Sequence, residues 1–197
     1  MYILDQFIET VKRICNLPEE EIKKLSLHSK EHKVSKGYYF IRAGQIPRKF
    51  AFVSRGLFRY FYSHKDGREF TKGFMPENSF ITSYSAMKTE TETYYNIQAL
   101  EDSVIATIDY DKWKQLVLNY QGWNSFLIAL LEKGYLKKEK RERELLLFSA
   151  KERYQSFLSE YPDLEKRIKQ HMIASYLGIT PVALSRVRKN MGIINIG

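Results

Sequence analysis

The sequence predicts an α+β protein: an N-terminal antiparallel β-barrel or jelly roll, a long helix, and a small helical domain ending in a helix-turn-helix. Three observations lead there. Short aromatic and β-branched runs broken by glycine turns fill residues 33–109. An apolar stripe at helical spacing then runs through Trp123, Phe126, Leu127, Leu130, Leu131, Gly134 and Tyr135. Finally, residues 170–189 read as a helix, a sharp glycine turn and a second helix with a basic tail.

In chain order, Leu4, Phe7, Ile8, Val11 and Ile14-Cys15 recur at helical spacing, and Leu17-Pro18 with three following glutamates starts a second short helix through Leu25. Strands are expected at 38–42, 50–54, 57–63, 69–75, 94–100 and 104–109. They are separated by Lys36-Gly37, Ala43-Gly44, Arg55-Gly56, Asp66-Gly67 and Pro76-Glu77-Asn78. Asp66-Gly67 between two strands is a specific hairpin signal. A short helix is expected at 110–119. The long helix follows, continuing through a mixed-charge run from Lys137 to Glu144 that suits an exposed or partner-facing surface. Its apolar stripe either packs on its own barrel or, as we favour, pairs with its twin in a homodimer. Ser149 and Glu152 form a capping box for the next helix, and Tyr161-Pro162 ends it. The expected domains are 1–120 for the barrel, 121–148 for the long helix and 149–197 for the helix-turn-helix domain.

A chain of 197 residues with 44% hydrophobic residues buries a real core. No apolar run approaches the roughly 18 residues of a membrane span, so no membrane partner is expected. The first residues have early acids and no basic lead-in, unlike a signal peptide. The lone Cys15 excludes an internal disulfide and fits a reducing cytoplasm. The formal net charge is +9. Residues 164–190 carry six cations (Lys166, Arg167, Lys169, Arg186, Arg188, Lys189) against Glu165, a local +5. Its coincidence with the helix-turn-helix favours double-stranded DNA over a merely solvated basic face.

Within the motif, Ala174 falls where the helices cross and Gly178 where the turn needs φ > 0. Ile173, Leu177, Ile179, Leu184 and Val187 occupy the shared apolar surface. Thr180 caps the second helix and Pro181 suits its first position. That helix is expected to present Val182, Ala183, Ser185 and Arg186 outward. Arg186 is the candidate base reader, because a guanidinium pairs bidentately with guanine O6 and N7. Ser185 can reach a base or phosphate, and Val182 or Ala183 a thymine methyl. Thr180, Lys169, Arg188 and Lys189 are phosphate candidates. For Arg188 and Lys189 the alternative is ordinary complementation of the helix dipole.

On these features the whole chain resembles the Crp/Fnr family of bacterial transcription regulators. The resemblance rests on Phe52-Val-Ser-Arg-Gly-Leu-Phe-Arg59, Ser149-Ala-Lys-Glu-Arg-Tyr154, Ala174-Ser-Tyr-Leu-Gly-Ile-Thr-Pro181 and Leu184-Ser-Arg-Val-Arg188. It implies a cyclic-nucleotide-binding-type domain, a homodimer through the long helix, palindromic operator binding and contact with RNA polymerase. Arg186 matches the family's base-reading arginine. Val182 stands where members often carry a glutamate, so their operator preference does not transfer.

The resemblance also implies a phosphate-binding cassette, with a Gly-Glu pair near its start and an Arg-Ser/Thr pair near its end. Ungapped alignment of 79–108 places Thr82-Ser83 and Thr93-Tyr94 at these pairs, so the carboxylate and guanidinium are both absent. Across 79–95 the only cation is Lys88, against Glu90 and Glu92. A phosphate buried there would lack its countercharge. Control by cyclic AMP is therefore not expected. Thr82, Ser83, Thr93 and Tyr94 either line a pocket for another small-molecule effector, or Tyr94 and Tyr95 fill the cavity.

No cofactor or metal is expected. His28 and His32, four apart, could share a helix face but lack further ligands, and solvent exposure is the better reading. The expected function is a cytoplasmic, dimeric, sequence-specific DNA-binding regulator. The rivals are a ligand-binding module acting through protein contacts, and a cupin-type enzyme, for which no clustered ligands or acid–base pair is visible.

Overall fold

Helix α1 (Ile3–Ile14) opens the chain in a computed structural model that describes residues 3–193. Its Phe7 and Val11, one helical turn apart, are fully buried. Helix α2 (Glu19–His28) begins after Pro18 with three acids in its first turn, which suits the positive end of the helix dipole. Its Ile22 and Leu25 are buried against the same cluster. Glu21 is buried too, and accepts hydrogen bonds from the Trp123 indole at 2.8 Å and the Lys24 ammonium at 2.7 Å. The Lys24 hydrogen bond is the main cause that holds its carboxyl below the ordinary glutamate range.

Among the described residues, eight strands follow: β1 (Ser29–Val34), β2 (Tyr39–Ile41), β3 (Lys49–Arg55), β4 (Phe58–Ser63), β5 (Glu69–Met75), β6 (Ser79–Ile81), β7 (Asn96–Ala99) and β8 (Ser103–Asp109). A short helix, α3 (Tyr84–Thr89), interrupts them after β6. They form two four-stranded sheets, ordered β1-β8-β3-β6 and β2-β7-β4-β5. The pairings β1–β8, β3–β8, β3–β6, β2–β7 and β4–β7 are antiparallel. This is the jelly-roll arrangement that the turn spacing predicts.

Strand β8 shows why both faces of the first sheet are apolar. Alternate residues point to opposite faces, so Ile105 joins Ile41, Val53, Phe58, Tyr60 and Ile97 between the sheets. Ala106 and Ile108 join Phe7, Val11, Trp113 and Trp123 under the helices. At the β3–β4 turn only glycine fits. Gly56 has φ +107°, and an added Cβ would lie 2.8 Å from the Ser103 Cα.

Helix α4 (Tyr110–Asn119) has the expected limits, and α5 (Gly122–Leu147) is the long helix. Its apolar stripe divides. Trp123 and Phe126 are buried in their own unit, where Trp123 meets Trp113 edge-to-face at 5.4 Å. Leu127 and Leu130 are partly covered by the same cluster. Leu131 and Tyr135 are exposed, as are Ile128 and Leu136. The first half of the stripe therefore anchors the helix to its own core, correcting the expectation that all of it faces a twin.

The structure corrects the sequence reading elsewhere. Strands β1 and β6 and helix α3 were not expected, and β7 is shorter than the run 94–100. His28 ends α2 while His32 lies in β1, so they share no helix face. The His32 imidazole instead meets the Thr107 hydroxyl at 3.0 Å.

The chain forms two compact units. One comprises residues up to 63 together with 72–132; the other comprises 64–71 together with the chain from 133 onward. The second contains α6 (Ala150–Glu160), a 3-10 turn (Leu164–Lys166), α7 (Gln170–Leu177) and α8 (Pro181–Asn190). Among the described residues, no helix is long and apolar enough to cross a membrane.

Candidate nucleic-acid interface

The second unit is built to hold α7 and α8 at a fixed angle. Ser149 caps α6 in a reciprocal box: its hydroxyl accepts from the Glu152 amide, and the Glu152 carboxylate accepts from the Ser149 amide at 2.7 Å. Tyr154 and Phe157 from α6, Tyr161, and Tyr176 from α7 form the aromatic core, with ring separations of 5.4 Å for Phe157–Tyr161 and 5.7 Å for Phe157–Tyr176. Ala174 is fully buried. Gly178 ends α7 in the left-handed conformation with φ +68°, while the Leu145 side chain would lie 3.3 Å from an added Cβ. Two residues later, the Thr180 hydroxyl accepts from the Ala183 amide at 3.1 Å, and Pro181 starts α8.

This geometry sorts the candidate residues. Val182, Ser185, Arg186 and Lys189 are all exposed. Their spacing of i, i+3, i+4, i+7 puts them on one stripe of α8. Val182 is 62% exposed, so a large apolar group faces solvent on this stripe. Thr180 stands at its start, and exposed Lys169 sits at the N-cap of α7. Ala183 is only half-exposed.

Arg188 does not join that stripe. It is half-buried, with Nε fully covered. The Arg188 charge partly offsets the rise in the Tyr154 pKa. Tyr154 in turn donates to Glu165 Oε2 at 2.5 Å. Burial first, then the Glu165 hydrogen bond, pushes the Tyr154 hydroxyl above the ordinary tyrosine range.

No local sequence signal marks a second set of contacts in this unit. The Ser175 hydroxyl on α7 donates to the Glu69 carbonyl at 2.9 Å and accepts from the Thr71 amide at 2.8 Å. The Arg141 guanidinium donates to the Thr71 carbonyl at 3.2 Å and lies 4.0 Å from the Tyr176 ring centroid. The turn between β4 and β5 is closed by His64 and Arg68, and Asp66 pairs with both side chains. The Arg68 hydrogen bonds lower the Asp66 pKa to about 2.

In the first unit, three of the four proposed pocket residues come together. Ser83 and Thr93 are buried, with the Thr93 hydroxyl donating to Ser83 Oγ at 2.9 Å. The Thr82 amide donates to Tyr60 Oη at 2.9 Å. Tyr94 stands apart, 86% exposed. Tyr95 turns inward and stacks on Tyr60, with ring centroids 5.5 Å apart. The Lys72 ammonium lies 4.0 Å from the Tyr95 ring centroid. A groove of about 500 Å³ in the same unit is lined by other residues, including Tyr38, Phe40, Arg48 and Lys49.

Residues 31–120 match the family model of the cyclic nucleotide-binding domain. Among solved structures the chain is similar to the c-di-GMP-responsive global regulator CLP of Xanthomonas campestris, with 16% identity, 91% of this chain and 96% of that one covered, and a TM-score of 0.73. It is similar to FixK2 from Bradyrhizobium japonicum, with 17% identity, coverage of 86% and 88%, and a TM-score of 0.73. A protein from Eubacterium rectale assigned to the crp/fnr family of transcriptional regulators gives 18% identity, coverage of 92% and 88%, and a TM-score of 0.73. This chain contains a cyclic nucleotide-binding domain and shares the fold of these structures. A search of curated protein sequences finds no match.

Both expected pairs, Thr82-Ser83 and Thr93-Tyr94, lie within the matched residues 31–120. The Thr93 hydroxyl bonds Ser83, and Tyr60 bonds the Thr82 backbone directly. Sequence reasoning missed Tyr60, which lies 22 residues upstream of Thr82 in β4.

Proposed function

We propose that the chain is a sequence-specific, DNA-binding transcription regulator of the Crp/Fnr type. It works from the cytoplasm as a homodimer, not as an enzyme, and is not controlled by cyclic AMP. The observation that carries the reading is the exposed stripe Val182, Ser185, Arg186 and Lys189 on a capped helix held by a glycine turn. Arg186 reads a base; Lys169, Thr180 and Lys189 meet phosphates and set register. Two copies of α8 enter successive major grooves about 34 Å apart. RNA polymerase is the downstream partner.

Dimerisation through α5 is supported by the exposed Ile128, Leu131, Tyr135 and Leu136, large apolar groups that a lone helix would leave in water. Independence from cyclic AMP is supported by the uncharged cassette and by the Tyr60–Tyr95 stack. An effector of another kind would have to bind elsewhere or displace these rings.

The test is selection of binding sites from genomic DNA, followed by titration of the selected site. Arg186→Ala should cost ~1–3 kcal/mol and relax preference at one base position in each half-site. Unchanged affinity and preference would remove Arg186 from base reading. Failure of the unaltered protein to bind any fragment, at low and high salt alike, would favour a module acting through protein contacts.

A further inference from the structure

Val182 occupies the outermost line of α8. At about 100° per residue it stands about 160° around the helix from Leu184, which is 1% exposed and anchors α8 in its unit. Arg186 lies about 40° to one side of Val182 and Ser185 about 60° to the other, and all three are exposed. A single valine in water needs no explanation by itself. This one stands between an arginine and a serine at the centre of the stripe, so it enters deepest when α8 meets a partner.

Its position is also fixed in advance. The Thr180 hydroxyl holds the Ala183 amide at 3.1 Å, and Pro181 sets the first helical residue, so Val182 lies in a well-defined first turn. A β-branched side chain in a helix keeps essentially one χ1 rotamer, and ordering it on contact costs little. Valine has no donor or acceptor, so it cannot replace the hydrogen bonds that a polar base edge makes to water. It suits the one apolar feature of the major groove, the C5-methyl of thymine. The rest of α8 agrees. Its sequence, PVALSRVRKN, contains no Asp, Glu or Gln, so no carboxylate is offered to a cytosine amino group. Ala183, the other small apolar residue of the first turn, is only half-exposed and points about 100° away.

We propose that Val182 is a specificity-determining residue that selects a thymine by its methyl group. The inference rests on the DNA-binding reading above and deepens it. Four residues span ~6 Å of helix, against a rise of ~3.4 Å per base pair. Each half-site therefore holds a T·A pair within two base pairs of the guanine that Arg186 reads.

The experiment is a binding titration on the selected site in which deoxyuridine replaces each thymine in turn, in both half-sites together. Deoxyuridine keeps every hydrogen-bonding group and lacks only the methyl. The full chain is compared with Val182→Ala and Arg186→Ala, with thermal melts to confirm folding. One thymine position should show a loss of about fifteenfold in the unaltered protein, roughly fourfold per half-site for one buried methyl-sized group. Val182→Ala should bind the thymine site more weakly by a similar factor and lose nothing further with deoxyuridine. Arg186→Ala should keep the deoxyuridine penalty, since it leaves the valine in place.

The coupling between Val182 and the methyl decides the matter. A site in which no thymine carries a penalty would overturn the proposal, as would a penalty of equal size in Val182→Ala. So would a coupled thymine more than two base pairs from the position that Arg186→Ala relaxes. In each of these cases specific DNA binding itself still stands. If the unaltered protein binds no DNA in the same titration, the DNA-binding reading fails and the thymine contact goes with it.

Discussion

Ser175 holds the backbone on both sides of Phe70: its hydroxyl accepts from the Thr71 amide at 2.8 Å and donates to the Glu69 carbonyl at 2.9 Å. One side chain on α7 thus satisfies a strand-end donor and acceptor together. Arg141 takes the carbonyl of Thr71. Ser175→Ala should leave this stretch less protected, at a cost of about 1 kcal/mol. Amide hydrogen exchange at Thr71 is the measurement, and the expected result is faster exchange there with α6 unaffected. Unchanged exchange would mean that the segment is held by other contacts.

Acid should weaken the second unit through Glu160. Its carboxylate meets Lys137 and Lys140, each at 3.0 Å, and Tyr161 lies against it as well. Burial works against the charged form, but the two lysines outweigh it and the pKa is lowered from the ordinary 4.5. A carboxyl whose folded pKa is depressed stabilises above its unfolded value and loses that contribution as pH falls through the folded one. Denaturant melts from pH 6 to about pH 3 should therefore show a loss that begins near pH 4.5. Glu160→Gln should flatten it. An identical pH profile in the variant would remove Glu160 from the acid response.

The exposed half of the α5 stripe makes a separate prediction. Tyr135 is 66% exposed and Ile128 54% exposed, seven residues apart on one side of the helix. Replacing both by aspartate should leave the monomer folded and shift sedimentation toward it. DNA affinity should fall with the loss of the second half-site. A dimer of unchanged stability would place the interface elsewhere.

Cyclic AMP should give no heat of binding in calorimetry with the unaltered chain. Tyr95→Ala removes a buried ring and should destabilise the first unit by about 3–5 kcal/mol, the range for large aromatic truncations. The shortened residue creates space but no countercharge, so cyclic AMP should still not bind. Micromolar binding by either protein would overturn the reading of the cassette.

The elements most legible from sequence were those with local punctuation. Ser149 and Glu152 announced the start of α6, and Gly178, Thr180 and Pro181 announced the turn and the start of α8. Each depends on neighbours within a few residues. Strand β1 was hidden because Ser29–Val34 is largely exposed, with a polar sequence that only its pairing with β8 makes a strand. Strand β6 has three residues, too few for a period. At the candidate interface, spacing correctly put Val182, Ser185 and Arg186 on the outside but could not tell that Arg188 turns inward. The Ser175 contacts span 104 and 106 residues and left no local signature at all.

The membership of residues 64–71 in the second unit has a consequence for dissection of the protein. The backbone passes between the units three times, after residues 63, 71 and 132, so a single cut cannot release either one whole. A C-terminal fragment beginning at Lys133 would lack the backbone groups that Ser175 and Arg141 bind. Its α7 would present an unused hydroxyl and an exposed aromatic flank. DNA binding measured on such a fragment would report on a differently supported helix-turn-helix. A permuted chain that carries the 64–71 segment along would preserve the native one.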